Sequence, residues 1–435
     1  MLYQKIFSRE YLINFLLLAI PISYILGNLV LNANIIILIV ASLVFYNRKI
    51  FLHKFTPIDK IIILVFLYIL LNGIINNFFN FPSSPNQNLI LIKSILFMRF
   101  LILYFTIKYL IKNEIIDLKK IFIFYSIIVL FVCVDIIIQY ILGYDLFGFE
   151  ATARRYAGPF GDELVSGAFI QRFFIFPLFA LILFSKIKKG RFLDFSIFLI
   201  IILSAVGIFL SGNRIPLLLF LIMITIFFFF QPKIRKAMLY VIMLFTITFV
   251  IVLNSNISFK KHYFGLIIES NKIANYIKLK VTGKSLLGLK SIYIKEIESG
   301  ILTWQENKVF GGGIKSFYIH CVNINPNNWT LYGGVNCNQH PHNYYLEVAA
   351  ALGVVGLVIF LVLIGFIIFT SYKEIVINKD DLVYKKLIFP FLTLFIIEIF
   401  PFKTTGSLFT TGNATFLFII IAFVVGLNEY RLKKD

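Results

Sequence analysis

Runs such as LLLFLIMITIFFFF at residues 217–230 are apolar on every side rather than along one stripe. A water-soluble helix keeps a polar face, and an outer-membrane strand alternates apolar and polar positions, so neither accommodates such a run. A helix in lipid does, because its backbone polar groups are satisfied within the segment itself. Comparable runs lie near 11–30, 31–46, 61–79, 89–107, 120–142, 166–185, 193–210, 215–230, 237–253, 346–370, 387–402 and 408–427. A crossing takes roughly 20 residues. With 60% of 435 residues hydrophobic and 14% charged, the chain predicts an all-α polytopic membrane protein of about twelve spans.

The 41 Lys and Arg against 21 Asp and Glu give a formal charge of +20, which in a soluble chain would suggest nucleic-acid binding. Here the charge reads as topology, and no nucleic-acid partner is expected. Basic residues concentrate at both ends and in the short connectors around 48–60, 108–120, 186–191, 233–236 and 373–386. By the positive-inside rule these connectors and both termini are expected in the cytoplasm. The first apolar segment follows two basic residues but lacks a clean small-residue cleavage site, so it is read as a retained span.

The opposite side carries few cations in its short loops: Arg154 and Arg155, Arg214, and Lys403. Residues 254–345 form one long outer segment, which divides the chain into nine spans (1–253), an extracytoplasmic loop (254–345) and three spans (346–435). Within that loop, KSLLGLKSIYIKEIESGILTWQ (284–305) mixes charges with recurring apolar positions and predicts amphipathic helix on the membrane face. Cys321 and Cys337 lie in the same loop, where an oxidising compartment would allow a disulfide. The alternative is a metal bracket with His320 and His340, although the spacing is not that of a usual zinc site. Cys133, inside a span, reads as a packing residue.

Some ionisable residues fall within the apolar runs, where they are expensive and often functional. Arg99 and Asp135 sit at compatible depths and are expected to neutralise each other. Arg172 lies about two turns into the sixth run from its outer end, and Glu398 near the outer end of the eleventh is unassigned.

The sharpest local signal is QHPHNYYLEVAAALGVVGLV (339–358): His342 and Asn343, nine residues, then Gly353, two valines, Gly356 and Leu357. This pattern resembles the signature of the O-antigen ligase and O-antigen polymerase superfamily of bacterial membrane glycosyltransferases. In that family the histidine closes a large extracytoplasmic loop between the ninth and tenth of about twelve spans, as it does here. Arg155-Tyr-Ala-Gly-Pro-Phe-Gly (155–161) and Ser211-Gly-Asn-Arg214 resemble the family's shorter arginine turns. One departure is visible: Lys308-Val-Phe-Gly-Gly-Gly (308–313) lacks the proline that members often place before their glycine-rich turn.

A neutral imidazole suits removal of a proton from an attacking hydroxyl, so His342 is the candidate general base. The competing reading is a helix cap or an interfacial residue beside Tyr344 and Tyr345. Arginine grips a diphosphate through charge-assisted, bidentate hydrogen bonds, making Arg155 and Arg214 candidate clamps on the leaving group. Headgroup contact, or an ion pair with Asp162 or Glu163, is the alternative. Arg154, Arg172, Lys403 and Asn343 are auxiliary candidates, and Gly353 and Gly356 are expected to allow close helix packing. No Asp-x-Asp occurs in an outer loop, and no P-loop or dinucleotide fingerprint is present, so neither metal nor cofactor is expected.

The resemblance implies transfer of a preassembled glycan from undecaprenyl diphosphate to a lipid A-core acceptor, on the periplasmic face of the bacterial inner membrane. A polymerase using a second lipid-linked glycan as acceptor is the first alternative, and a protein O-oligosaccharyltransferase is another within the class. A lipid-linked glycan transporter is the rival from a different class, but it would favour internal repeats and cations lining both leaflets.

Overall fold

The computed structural model describes residues 9–52, 54–80, 87–152, 155–185, 190–282, 291–324, 337, 339–377, 383–404 and 406–430. Among these residues every regular element is a helix, and β pairing is limited to the isolated bridges Tyr144–Glu150 and Thr152–Arg155.

Nine helices among the described residues are long and apolar enough to cross a membrane. The all-α membrane class is therefore as expected, and among the described residues nine of the twelve expected runs fall on such helices. The runs near 11–30, 215–230 and 387–402 fall on shorter elements: α1 (Arg9–Leu18) with α2 (Ile20–Ile25), α11 (Arg214–Phe230) and α17 (Val383–Glu398). The division between α1 and α2 has a local cause. Pro21 brings no N–H to the helix ladder, and the Leu17 carbonyl instead accepts the Tyr125 hydroxyl at 2.6 Å. Tyr125 belongs to α7 (Leu118–Leu142), so the interruption fastens the first helices to a long one.

The helices α3 (Asn28–Tyr46), α4 (Pro57–Ile75), α5 (Gln87–Phe97), α6 (Arg99–Lys112), α8 (Ser166–Phe173), α9 (Ile175–Phe179), α10 (Arg191–Leu210), α12 (Arg235–Ser255) and α18 (Thr411–Tyr430) complete the bundle around a phenylalanine-rich core. Phe66 stacks on Phe97 at 5.5 Å, Phe391 stacks on Phe423 at 4.6 Å, and Phe122 packs on Phe176 at 4.9 Å. Large apolar side chains also point outward, Leu29 and Val44 being 83% and 71% exposed. A surface of that kind suits lipid rather than water.

One group of charged residues inside the bundle is closely paired. Asp59 closes a capping box with Thr56 at the start of α4 and accepts from Tyr104 Oη at 2.7 Å. Lys108 Nζ lies 2.5 Å from both Asp59 Oδ2 and Glu429 Oε1, and Lys112 bonds Glu429 at 3.0 Å. Lys108, counted by sequence among the basic connector residues, is thus buried and neutralised, joining α4, α6 and α18. The expected Arg99–Asp135 pair does not form. Arg99 donates to the Leu96 carbonyl and to Thr411 and lies over Phe100, whereas Asp135 accepts from the Leu146 amide at 2.9 Å. Arg99 thus bonds α5 and α18, and Asp135 the loop that follows α7.

The segment between the ninth and tenth apolar runs contributes α13 (Ile257–Val281), α14 (Ile292–Glu306) and α15 (Ser316–Ile324). The amphipathic expectation for 284–305 corresponds to α14, and its part at 284–290 lies outside the described residues. The following helix, α16 (Tyr344–Ile377), is broken at Gly353, whose backbone turns to φ 64°, ψ −169°.

Candidate active site

The break in α16 organises the region. Residues 308–313 run beside it, with Val354 N donating to Lys308 O (2.9 Å), Val355 N to Val309 O (3.2 Å), Gly312 N to Ala350 O (3.0 Å) and Gly313 N to Ala351 O (2.7 Å). The glycine-rich turn thus satisfies backbone groups that an interrupted helix leaves unpaired. A Cβ on Gly353 would sit 2.2 Å from the Val309 carbonyl oxygen, and one on Gly311 would sit 2.4 Å from the Gly353 nitrogen. The close approach expected of Gly353 is therefore to a backbone turn rather than to a neighbouring helix, while Gly356 does face Tyr68 of α4. Tyr68 and Asn72, one turn apart on α4, donate to the Phe310 carbonyl at 3.0 and 2.6 Å, and Asn76 donates to Gly311 O at 3.1 Å.

This scaffold fixes the entry to α16. Asn343 Oδ1 accepts from the amides of Tyr345 (3.0 Å) and Leu346 (3.1 Å), so Asn343 caps the helix, and its Nδ2 donates to Pro401 O at 2.8 Å. Immediately before it His342 holds a left-handed backbone, φ 50°, which is costly outside glycine and recurs where a side chain is being aimed. Cys321 and Cys337 form a disulfide with a Cα–Cα distance of 5.6 Å. Both thiols are consumed by it, so they are not available to a metal bracket, and α15 is tied to the approach to His342.

One face of α14 reaches three parts of the site. Tyr293, Glu296 and Gly300 recur at i, i+3 and i+7, the spacing of a single helical stripe. Tyr293 Oη accepts from Arg214 Nη2 at 3.1 Å, Glu296 Oε1 lies 3.8 Å from His342 Nε2, and the space a Gly300 Cβ would occupy is bounded by Pro341 at 3.1 Å.

Arg214 opens α11, and its Nη1 donates to His262 O at 3.2 Å. His262 Nε2 in turn donates to Gly212 O at 2.8 Å, pinning α13 to the Ser211-Gly-Asn-Arg214 turn. Arg214, Lys261, His262, Glu269, Tyr293, Glu296, His342 and Thr404 line one cavity of about 570 Å³. That volume falls within the range of small-ligand sites. Two residues singled out from distant parts of the sequence, Arg214 and His342, therefore share a cavity.

The remaining candidates divide. Arg155 is not among the lining residues, but its charge and that of Arg214 both act on Tyr263, opposing the burial that raises the Tyr263 phenol. Arg154 lies outside the described residues. Arg172 and Lys403 face a separate cavity of about 270 Å³. Both are committed to Glu398: Arg172 bonds it through Nη2 at 2.7 Å and Nε at 3.1 Å, Lys403 contacts the same carboxylate, and Tyr344 Oη donates to it at 2.8 Å. Arg172 also reaches Asn413 Oδ1 at 2.5 Å. Glu398, unassigned by sequence, is the hub of this cluster.

Electrostatics distinguish the ionisable groups further. Burial pushes the Glu269 carboxyl up, yet hydrogen bonds from Lys272 (2.8 Å) and Ser291 (2.5 Å), with the charges of Lys272 and Arg214, outweigh it and hold the group below its ordinary range. His340 stacks edge-on against His342 with ring centroids 4.2 Å apart, and its Nδ1 is buried without a hydrogen-bond partner. Burial brings the His340 imidazole down to about 4, with His342 and Lys315 adding repulsion. His340 is therefore neutral at ordinary pH.

Tyr293, Glu296, Lys261, His262 and Glu269 escaped the sequence reading.

Residues 199–361 match a family model described as O-Antigen ligase. The matched span contains Arg214, α13, α14, the glycine-rich turn and the His342 motif through Gly356. A search of curated proteins found no match.

Proposed function

From the premise that this chain is a member of the O-antigen ligase superfamily, a multi-pass membrane glycosyltransferase of the ligase and polymerase family, we propose that it moves a preassembled glycan from undecaprenyl diphosphate to a lipid A-core acceptor. The proposed setting is the periplasmic face of the inner membrane, with both termini in the cytoplasm, and the proposed reaction is independent of metal. The observation that carries this reading is the placement of His342 and Arg214 on one cavity of about 570 Å³.

The chemistry asks for two things at once. The acceptor oxygen attacks the anomeric carbon, and its proton passes to His342. The bond from that carbon to the lipid diphosphate breaks, and the electron pair leaves with the phosphate oxygen. Arg214, donating from both terminal nitrogens of a group that keeps its charge at all relevant pH, stabilises the negative charge that develops there. Lys261 adds positive charge at the same wall, and Arg155 is assigned a supporting role through the shared field at Tyr263. Arg172 and Lys403, drawn to Glu398, are assigned to holding the bundle.

The test is transfer by purified protein from a lipid-diphosphate-linked glycan in the presence of EDTA, with lipid A-core or a second lipid-linked glycan offered as acceptor. Product on lipid A-core supports the ligase reading, and chain extension replaces it with a polymerase. Movement of the lipid-linked glycan across vesicles without transfer to either acceptor favours the transporter.

A further inference from the structure

We infer that Glu296 is a positioning residue for His342, forming with it a carboxylate–imidazole dyad; the inference rests on the glycosyl-transfer reading and deepens it. The geometry that points to it is threefold. Glu296 Oε1 lies 3.8 Å from His342 Nε2, both residues line the cavity that holds Arg214, and Glu296 is buried while the His342 ring is partly open to the cavity. The backbone makes the contact specific. Gly300, one turn further along α14, lets the helix press on Pro341, and His342 is turned by its left-handed backbone. A separation of 3.8 Å is about 1 Å of closing movement from a charge-assisted hydrogen bond.

In the dyad the Glu296 carboxylate holds the proton on His342 Nε2, leaving the lone pair on Nδ1. The acceptor hydroxyl gives its proton to Nδ1 as its oxygen bonds to the anomeric carbon and the diphosphate departs with the electron pair. The imidazolium so formed is stabilised by Glu296 and returns its added proton to water once the products leave. The other groups around this ring are accounted for. His340, edge-on at 4.2 Å, carries no charge, Arg214 and Lys261 are the cations of the cavity, and Glu269 is tied to Lys272 and Ser291. Glu296 is thus the carboxylate nearest the imidazole among the groups that line the cavity.

The experiment compares wild type, Glu296→Gln and Glu296→Asp in the glycan-transfer assay, with His342→Ala as reference. Expected for Glu296→Gln is a fall in kcat of ten- to a hundredfold with donor KM within about twofold. Glu296→Asp should restore most of the loss. A second readout needs no turnover: in protein labelled with 15N-histidine, which has five histidines, the His342 Nε2 signal, identified by its loss in His342→Gln, should move in Glu296→Gln as the hydrogen bond to the carboxylate is lost, and return in Glu296→Asp.

Unchanged kcat and an unmoved Nε2 signal in Glu296→Gln overturn the dyad. So does joint loss of kcat, donor affinity and thermal stability with the Nε2 signal unmoved, which is the mark of a structural role. If wild type transfers to no acceptor, the glycosyl-transfer reading fails; an unmoved Nε2 signal would then overturn the His342–Glu296 coupling separately.

Discussion

Replacing Gly353 by alanine tests whether the break in α16 depends on the absence of a side chain. The backbone at φ 64°, ψ −169° lies in a region essentially confined to glycine, so a Cβ costs about 1–3 kcal/mol of strain alone. The Cβ would also stand 2.2 Å from the Val309 carbonyl oxygen and 2.6 Å from the Gly311 nitrogen, both backbone atoms that no rotamer change can move. Relief requires the 308–313 turn to withdraw, breaking hydrogen bonds such as Val354 N to Lys308 O and Gly312 N to Ala350 O, at about 1 kcal/mol each. The total is on the order of 3–5 kcal/mol, enough to lower Tm by on the order of 5 °C in a detergent melt. Transfer should fall as well, because the same turn sets the entry of α16 behind His342. Gly365→Ala is the control: a Cβ there meets nothing within 4 Å, and its effect should stay within about 0.5 kcal/mol. A Gly353→Ala protein that melts and transfers like wild type would refute the role assigned to the turn.

Three further predictions concern the surroundings. Cys321→Ser should destabilise the protein by about 3 kcal/mol, the entropy of closing a loop of this length, and a phosphine reductant should lower the Tm of wild type but not of the variant; equal melting with and without reductant would contradict the bond's role. Glu398→Gln leaves Arg172 and Lys403 buried without their carboxylate and should cost about 3–5 kcal/mol, so a variant that melts normally yet loses donor binding would return both cations to the active site. His340, lowered to about 4 in the fold against about 6.5 unfolded, takes up a proton in the unfolded chain first as pH falls. Its contribution is fully present above the unfolded value and is lost as pH falls toward 4, so His340→Gln should flatten that part of the Tm–pH curve, and an unaltered curve would show the group to be solvated.

The helical class was legible because a bilayer demands long apolar runs, and a run such as 217–230 has no other reading. Their number was less so: Pro21 divides the first run, and the described helix Val383–Glu398 has 16 residues where a crossing takes roughly 20. His342 could be found because its motif is contiguous, and Arg214 because a cation in a short outer loop stands against the positive-inside rule. Pairings over long separations were hidden. Arg172 and Glu398 are 226 residues apart, and depth along the helices suggested Arg99 with Asp135, whereas Arg99 bonds Leu96 and the distant Thr411 and Asp135 bonds Leu146. Glu296 was concealed for another reason: in an amphipathic helix a carboxylate reads as solvent-facing, and only the fold shows that this polar stripe turns toward His342. The missing proline before the glycine-rich turn also lost its weight, since the hydrogen bonds to α16 come from glycines and carbonyls that a preceding lysine or valine does not disturb.

Glycan transfer in the cavity shared by His342 and Arg214 is tested most directly by measuring donor binding and transfer together in wild type, His342→Ala and Arg214→Ala. His342→Ala should bind the lipid-diphosphate-linked glycan with near wild-type affinity but lose at least a hundredfold in transfer rate, whereas Arg214→Ala should lose both affinity and rate. Normal transfer by His342→Ala, or unaltered binding and transfer by Arg214→Ala, would contradict it.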